Sequence, residues 1–224
     1  MPSSSGENYL KAIYKIGEKT EGAISTNAIA AQMNTTAASV TDMLKKLAGQ
    51  KFILYKKYKG VQLTPKGEIL AKDLIRKHRL WEVFLVNKLN FTWDEVHDLA
   101  EELEHIGTET LVNKLDDFLD NPKFDPHGDP IPDKNGKFHY REQVLMTDLA
   151  VDEEAIIVGV QDHSPGFLQY LDQIKLVLGT RLKIRERIAY DKSLSVALSS
   201  AQSVTISYQV AKNLFVKSLH KNEK

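Results

Sequence analysis

The sequence predicts a mainly α fold in three parts: an N-terminal winged helix-turn-helix, a helical middle and a small C-terminal β domain. Three observations carry this. Helical periodicity dominates the first hundred residues, interrupted by one pair of β-prone runs, KFILYKKYKGVQLT. Residues 121 to 136, NPKFDPHGDPIPDKNG, hold four prolines and two glycines, the composition of a stiff loop. Beyond Asp148 the texture changes to short alternating runs. The expected limits are 1–72, 73–147 and 148–224.

Element by element, Glu7 to Glu18 reads as a helix with Tyr9, Leu10, Ile13, Tyr14 and Ile16 as its apolar positions. Ser25 can N-cap a short helix running through Met33. After the Asn34-Thr35 turn a second helix spans about Thr36 to Ala48, with Val40, Met43, Leu44 and Leu47 inward. The two β-prone runs meet at Lys59-Gly60 as a hairpin, so the order is helix, turn, helix, hairpin. Pro65 opens a long helix reaching Leu89. Thr92-x-x-Glu95 is a capping box for the next helix, and another follows Thr108 through Leu111, Leu115, Phe118 and Leu119. EAIIVGVQD, RLKIRERIA, SLSVALS and SVTISY are strand-like, with one helix opened by Ser164-Pro165, which fits a small separate barrel.

A hydrophobic content of 42% supplies a core, and no apolar run approaches the ~20 residues of a membrane span. Met1 to Lys19 lacks a signal-peptide core, so a soluble cytoplasmic protein is expected. With no cysteine, any metal must be held by oxygen and imidazole. The net charge of +0 is unevenly spread. Lys45 to Arg79 holds eleven basic residues against two acidic, a net +9. Asn90 to Glu154 holds eighteen acidic against five basic, a net −13. A polyanion-binding segment beside a cation-binding one would have this pattern, and so would two solvated faces of opposite sign.

The cation-binding option has candidate residues. In HDLAEELEHIG, read as a helix, His97, Glu101, Glu104 and His105 fall within one arc of about 100°. Val96, Leu99, Leu103 and Ile106 fill a separate apolar arc. RKHRLWE puts His78 and Glu82 at i, i+4 on the preceding helix. The proline loop adds Asp125 and His127. Carboxylate and imidazole without sulfur suit Mn2+, Fe2+ or Zn2+. A carboxylate-bridged di-metal enzyme is a competing use, but Glu102-x-x-His105 is the sole Glu-x-x-His and bundle di-iron sites use two. P-loop, G-x-S-x-G and H-E-x-x-H motifs are also missing. A metal-responsive adaptor that binds protein is the other alternative.

Across its whole length the chain resembles the metal-dependent repressors related to diphtheria toxin repressor and the manganese transport regulators. The resemblance is carried by ENYLKAIYKI, KGVQLTPKG, RKHRLWEVFLV, VHDLAEELEH, PKFDPHGDPIP and YLDQIKLVLGTRLKIRER. It implies a primary metal site of Glu101, Glu104 and His105, with His78 close by and Asn8 reaching in from the first helix. Iron-type members carry Met at the Asn8 position and Cys at Glu101, whereas manganese-type members carry Asp and Glu. Glu101 is thus manganese-like, and Asn8 matches neither pattern. A second site would use Glu82, Asp125, His127 and Asp162, with His97 in or beside it. The C-terminal segment resembles the SH3-like barrel of the longer members. The implied protein is a homodimeric repressor, without enzymatic activity, that uses Mn2+ or Fe2+ to bind operator DNA of metal-uptake genes. Trp81, Phe84, Leu85, Val96, Leu99 and Leu103 would form its pairing surface.

The second helix of the helix-turn-helix would enter the major groove with Thr36, Ala37, Ala38, Ser39, Thr41 and Asp42. Lys45, Lys46 and the wing residues Lys56, Lys57 and Lys59 would meet phosphates. Without an ion, Glu101, Glu104, Glu82 and Asp125 are expected to repel one another and leave the DNA module free to swing.

Overall fold

A computed structural model describes residues 2–56, 59–198 and 203–219. The chain forms two compact units. The first comprises Met1–Trp81, Glu101–Phe118 and Pro132–Phe138, and the second Glu82–Ala100, Leu119–Ile131 and His139–Lys224.

The first unit begins with α1 (Ser4–Gly17), where the Ser3 side chain accepts from the Gly6 N–H. Helices α2 (Thr26–Gln32) and α3 (Ala37–Gly49) are likewise capped, by Ser25 on the Ala28 N–H and by Thr36 on the Ser39 N–H. Each cap satisfies a backbone donor that a helix start leaves open, which is why the starts of α2 and α3 fall within about a residue of expectation. Leu10, Ile13, Ile29, Val40, Leu44 and Leu47 close one core under the three helices. Strands β1 (Ile53–Lys56) and β2 (Gly60–Leu63) form the antiparallel wing, registered Ile53 to Leu63 and Lys56 to Gly60. Gly60, at φ +87°, opens β2 as the partner of Lys56 instead of sitting in the turn. A Cβ at Gly60 would strike the Ile24 carbonyl, whose chain bridges to Val61. Helix α4 (Pro65–Leu89) follows, opened by its proline as expected.

The next helix departs from expectation. Helix α5 spans only Val96–Leu103. Of the capping box, the Glu95 carboxylate accepts from the Thr92 N–H at 3.1 Å, but this closes a turn ahead of the helix. At the other end the chain leaves the helix after Leu103, with the Ile106 N–H bonded back to the Leu103 carbonyl and Gly107 at φ +112°. Glu104 and His105 stand in this turn. Leu99 (37% exposed) and Ile106 (59%) face outward, so the apolar arc is only partly a core face. Helix α6 (Glu109–Phe118) starts with Thr108 accepting from the Leu111 N–H.

The second unit is built on an antiparallel sheet of six strands, ordered β3-β8-β4-β5-β6-β7. Strands β4 (Glu154–Val160), β5 (Arg181–Arg187), β6 (Leu194–Leu198) and β7 (Ser203–Ile206) match the strand-like runs. The short β3 (Val144–Leu145) and β8 (Leu214–Ser218) add to them at one edge and in the middle of the sheet. Helices α7 (Pro165–Gln173) and α8 (Tyr208–Ala211) complete it. Alternate positions of β4, β5 and β6 bury Ala155, Ile157, Leu182, Ile184, Leu194 and Val196 in one core. Trp93 joins that core, its indole N–H donating to Asp172 at 2.8 Å.

Candidate metal centre

Within the first unit, one cluster joins α1, α4 and the end of α5. On α1, Lys11 follows Asn8 by three residues and Glu7 by four, so it shares a face with each of them. His78 comes from α4, Glu101 from the last turn of α5, and Glu104 and His105 from the turn beyond. The Glu104 carboxylate is wholly buried and fully engaged. The Lys11 Nζ donates to its Oε1 and Oε2 at 2.6 and 2.7 Å, and the His78 Nδ1 lies 2.6 Å from Oε2. The same ammonium donates to Glu101 Oε1 at 3.3 Å. The His105 Nδ1 is 2.7 Å from Glu7 Oε2, and its Nε2 faces Glu104 at 3.7 Å. The buried Asn8 Oδ1 has no hydrogen-bond partner among the described residues.

Two of these groups, Glu7 and Lys11, are not legible as site residues in the sequence. Glu7 holds the far nitrogen of His105, an arrangement that fixes a ligating imidazole's tautomer and orientation. Lys11 bridges the two glutamates that were expected to repel each other and offsets one of their two negative charges. Asn8, expected here by resemblance, is the orphan of the cluster: an acceptor hidden from water without a donor calls for a cation or a water. An oxygen- and imidazole-rich set of this kind fits a hard or borderline divalent ion such as Mn2+ or Fe2+.

A second cluster belongs to the second unit. Single ligand atoms of Glu82, Asp125 and His127 lie within 4.8 Å of one another, and all three residues are buried. The loop that carries two of them is fixed by its own backbone. Asp125 Oδ1 accepts from the N–H groups of His127 (2.9 Å) and Asp129 (3.0 Å), an Asx-type turn. The His127 carbonyl accepts from the Val160 N–H at 3.0 Å, pinning the loop to β4. Gly128, at φ +92°, leaves no room for a Cβ against the Val158 carbonyl. Arg141 donates to the carbonyls of Gly128 and Val158.

The His127 Nε2 lies 2.7 Å from the Trp93 carbonyl, and its Nδ1 faces Glu82 at 3.7 Å. Burial pushes its pKa down, but the Glu82 carboxylate as hydrogen-bond partner and charge, then Asp125, outweigh it and hold the value up at about 9. His163 stacks on this ring with centroids 4.8 Å apart, and burial lowers its pKa. His97 Nδ1 stands 3.6 Å from Glu82 Oε1 and is half-exposed. Asp162 is not brought into the group: its Oδ1 accepts from the Ser164 N–H at 2.9 Å, at the entrance to α7. The position beside His127 is held by the ring of His163.

On the helix-turn-helix, Thr36, Ala37, Ala38, Ser39, Asp42, Lys45 and Lys46 line the outer face of α3 and Thr41 is half-buried. The Thr41 hydroxyl donates to the Ala37 carbonyl and Thr36 caps α3, while Lys45 pairs with Asp42 at 3.2 Å. Lys56 and Lys59 are exposed on the wing, and Lys57 lies outside the described residues. Of the expected pairing surface, Leu85 and Val96 are buried, Trp81, Phe84 and Leu103 are half-buried or better covered, and Leu99 is open. Among the described residues no helix is long and apolar enough to cross a membrane.

Three stretches of the chain match known protein families. Residues 1–61 match the iron dependent repressor N-terminal DNA binding domain, and residues 64–133 its metal binding and dimerisation domain. Residues 144–218 match the FeoA domain. The chain is 34% identical over 127 residues to the iron-dependent repressor IdeR of Mycobacterium bovis, covering 56% of this chain and 54% of that protein. It thus spans about half the length of this relative. It is 31% identical to the HTH-type transcriptional regulator MntR of Lysinibacillus sphaericus, over 53% of this chain and 84% of that one. A solved manganese-dependent transcriptional repressor in complex with manganese is 32% identical over 96% of this chain and 100% of its own, with a TM-score of 0.82. The chain belongs to the family of metal-dependent transcriptional repressors related to diphtheria toxin repressor and the manganese transport regulators.

Proposed function

We infer that this chain is a cytoplasmic, homodimeric repressor, not an enzyme, that binds palindromic operator DNA of metal-uptake genes when loaded with Mn2+, or alternatively Fe2+. In this reading 1–72 reads DNA, 73–147 holds metal and the dimer contact, and 148–224 is the SH3-like domain. The observation that carries it is the polar face of α1. The helix that shares a core with α2 and α3 also presents Glu7, Asn8 and Lys11 to the glutamates and histidines of α4 and the α5 turn. Whatever changes at that cluster acts directly on the DNA-reading helices.

The primary ligands would be Asn8, Glu101, Glu104 and His105 with His78, and the second set Glu82, Asp125 and His127, without Asp162. A bound divalent ion would supply two positive charges to the primary set. The chain's own residues do the rest. Glu7 orients His105, His78 braces Glu104, and Asn8 offers an oxygen that has no hydrogen-bond partner among the described residues. Thr36, Ala37, Ala38, Ser39, Thr41 and Asp42 meet base edges, and Lys45, Lys46, Lys56, Lys57 and Lys59 meet phosphates. Metal then favours the DNA-competent arrangement by its differential affinity. Fluorescence anisotropy on a duplex selected from a randomised pool tests this: Mn2+ should tighten binding and EDTA reverse it. Binding that is equal in both conditions would reject the reading.

A further inference from the structure

We propose that Lys11 is a resident cation of the primary cluster, which an entering divalent ion must displace from Glu104, so that this lysine sets the threshold of the metal response. The inference deepens the repressor reading and rests on it. Lysine is seldom buried unless paired, and this one is 6% exposed, with its Nζ on three carboxylate oxygens. Three donors meet three acceptors, so the ammonium is fully satisfied. Both oxygens of Glu104 are committed to it, and Oε2 to His78 as well. Glu104 is therefore poorly placed to serve a second cation while Nζ stays.

Charge gives the same answer. Glu7, Glu101 and Glu104 bring three negative charges, and Lys11 returns one of them inside a pocket where screening is weak. A divalent ion gripping Glu104 would face the ammonium at close range, and like charges so near in a buried site repel strongly. The flexible four-carbon stem lets Nζ swing out, whereas a planar arginine fork would not leave so readily. The metal-free cluster is thus held together by Lys11 and not splayed by its glutamates. Metal binding becomes an exchange of one ammonium for one ion, and its affinity is reduced by the hydrogen bonds that Lys11 gives up.

The test compares the full-length protein with Lys11→Met and Lys11→Gln, all stripped with EDTA and then titrated with Mn2+ by calorimetry. Giving up two charge-assisted bonds is worth at least about a hundredfold in affinity, so both variants should bind Mn2+ at least about that much more tightly. In parallel, reductive methylation of the wild-type protein followed by mass spectrometry should show Lys11 becoming more reactive when Mn2+ is added. This second readout needs no variant to fold. Wild-type uptake of Mn2+ with unchanged or weaker affinity in a folded variant, or Mn2+ protecting Lys11, would overturn the exchange alone. Absence of Mn2+ uptake by every protein would overturn the repressor reading along with it.

Discussion

Replacing Glu104 by glutamine tests how the primary cluster is held without metal. The side chain is fully buried, accepts two bonds from Lys11 and faces His78. Glutamine keeps the shape and removes the charge, which strands a buried ammonium. Breaking one side of a buried ion pair costs about 3–5 kcal/mol. Glu101 remains 3.3 Å from Nζ but is 43% exposed, a weak substitute that moves the expectation to the lower end, about 3 kcal/mol. For a chain of this size that is roughly 6–12 °C in the melting temperature of the unit that holds the cluster. Differential scanning calorimetry in EDTA reads it. Adding Lys11→Met to Glu104→Gln removes the stranded charge, so the double variant should recover much of the loss, a coupling that a double-mutant cycle isolates. A drop below about 2 °C, or a double variant as unstable as the sum of the singles, would refute the buried-pair reasoning.

His127 gives a pH prediction. Its folded pKa of about 9 lies above the ordinary 6.5, so its stabilisation is complete below 6.5 and fades as pH rises through 9. Nuclear magnetic resonance of the metal-free protein should place its titration near 9, and a midpoint at or below 6.5 would discard the pairing with Glu82. Gly128→Ala forces a Cβ against the Val158 carbonyl at a positive φ, and urea unfolding of the second unit should show a loss of at least about 2 kcal/mol; an unchanged midpoint would mean the loop is not pinned as described. Lys45→Ala with Lys46→Ala should flatten the salt dependence of DNA binding by about 0.9 for each phosphate no longer neutralised, and an unaltered slope would remove these lysines from the interface.

The features legible in the sequence are those decided locally. Ser25, Thr36 and Pro65 mark helix starts because a cap or a missing N–H acts within a few residues. The strands of the second unit show because alternate residues point into one core. The end of α5 escapes such reading because its polar spacing continues through His105 while the backbone has already turned after Leu103. The ligand types survive this, since the turn still delivers Glu104 and His105 to the same cluster. Lys11 is invisible for a different reason. Its partner lies 93 residues away, and a lone lysine three residues from Asn8 looks like any solvated charge until tertiary packing buries it. Glu7 is hidden in the same way, its partner being 98 residues distant. Asp162 shows the converse: a matching position whose side chain is spent on the start of α7.

The claim on which the whole account depends is that metal and DNA favour one and the same arrangement of α1. Linkage makes this measurable in a single comparison, the Mn2+ affinity of the protein with and without saturating operator duplex. DNA should tighten Mn2+ binding by the same factor by which Mn2+ tightens DNA binding. An Mn2+ affinity unmoved by DNA would contradict it.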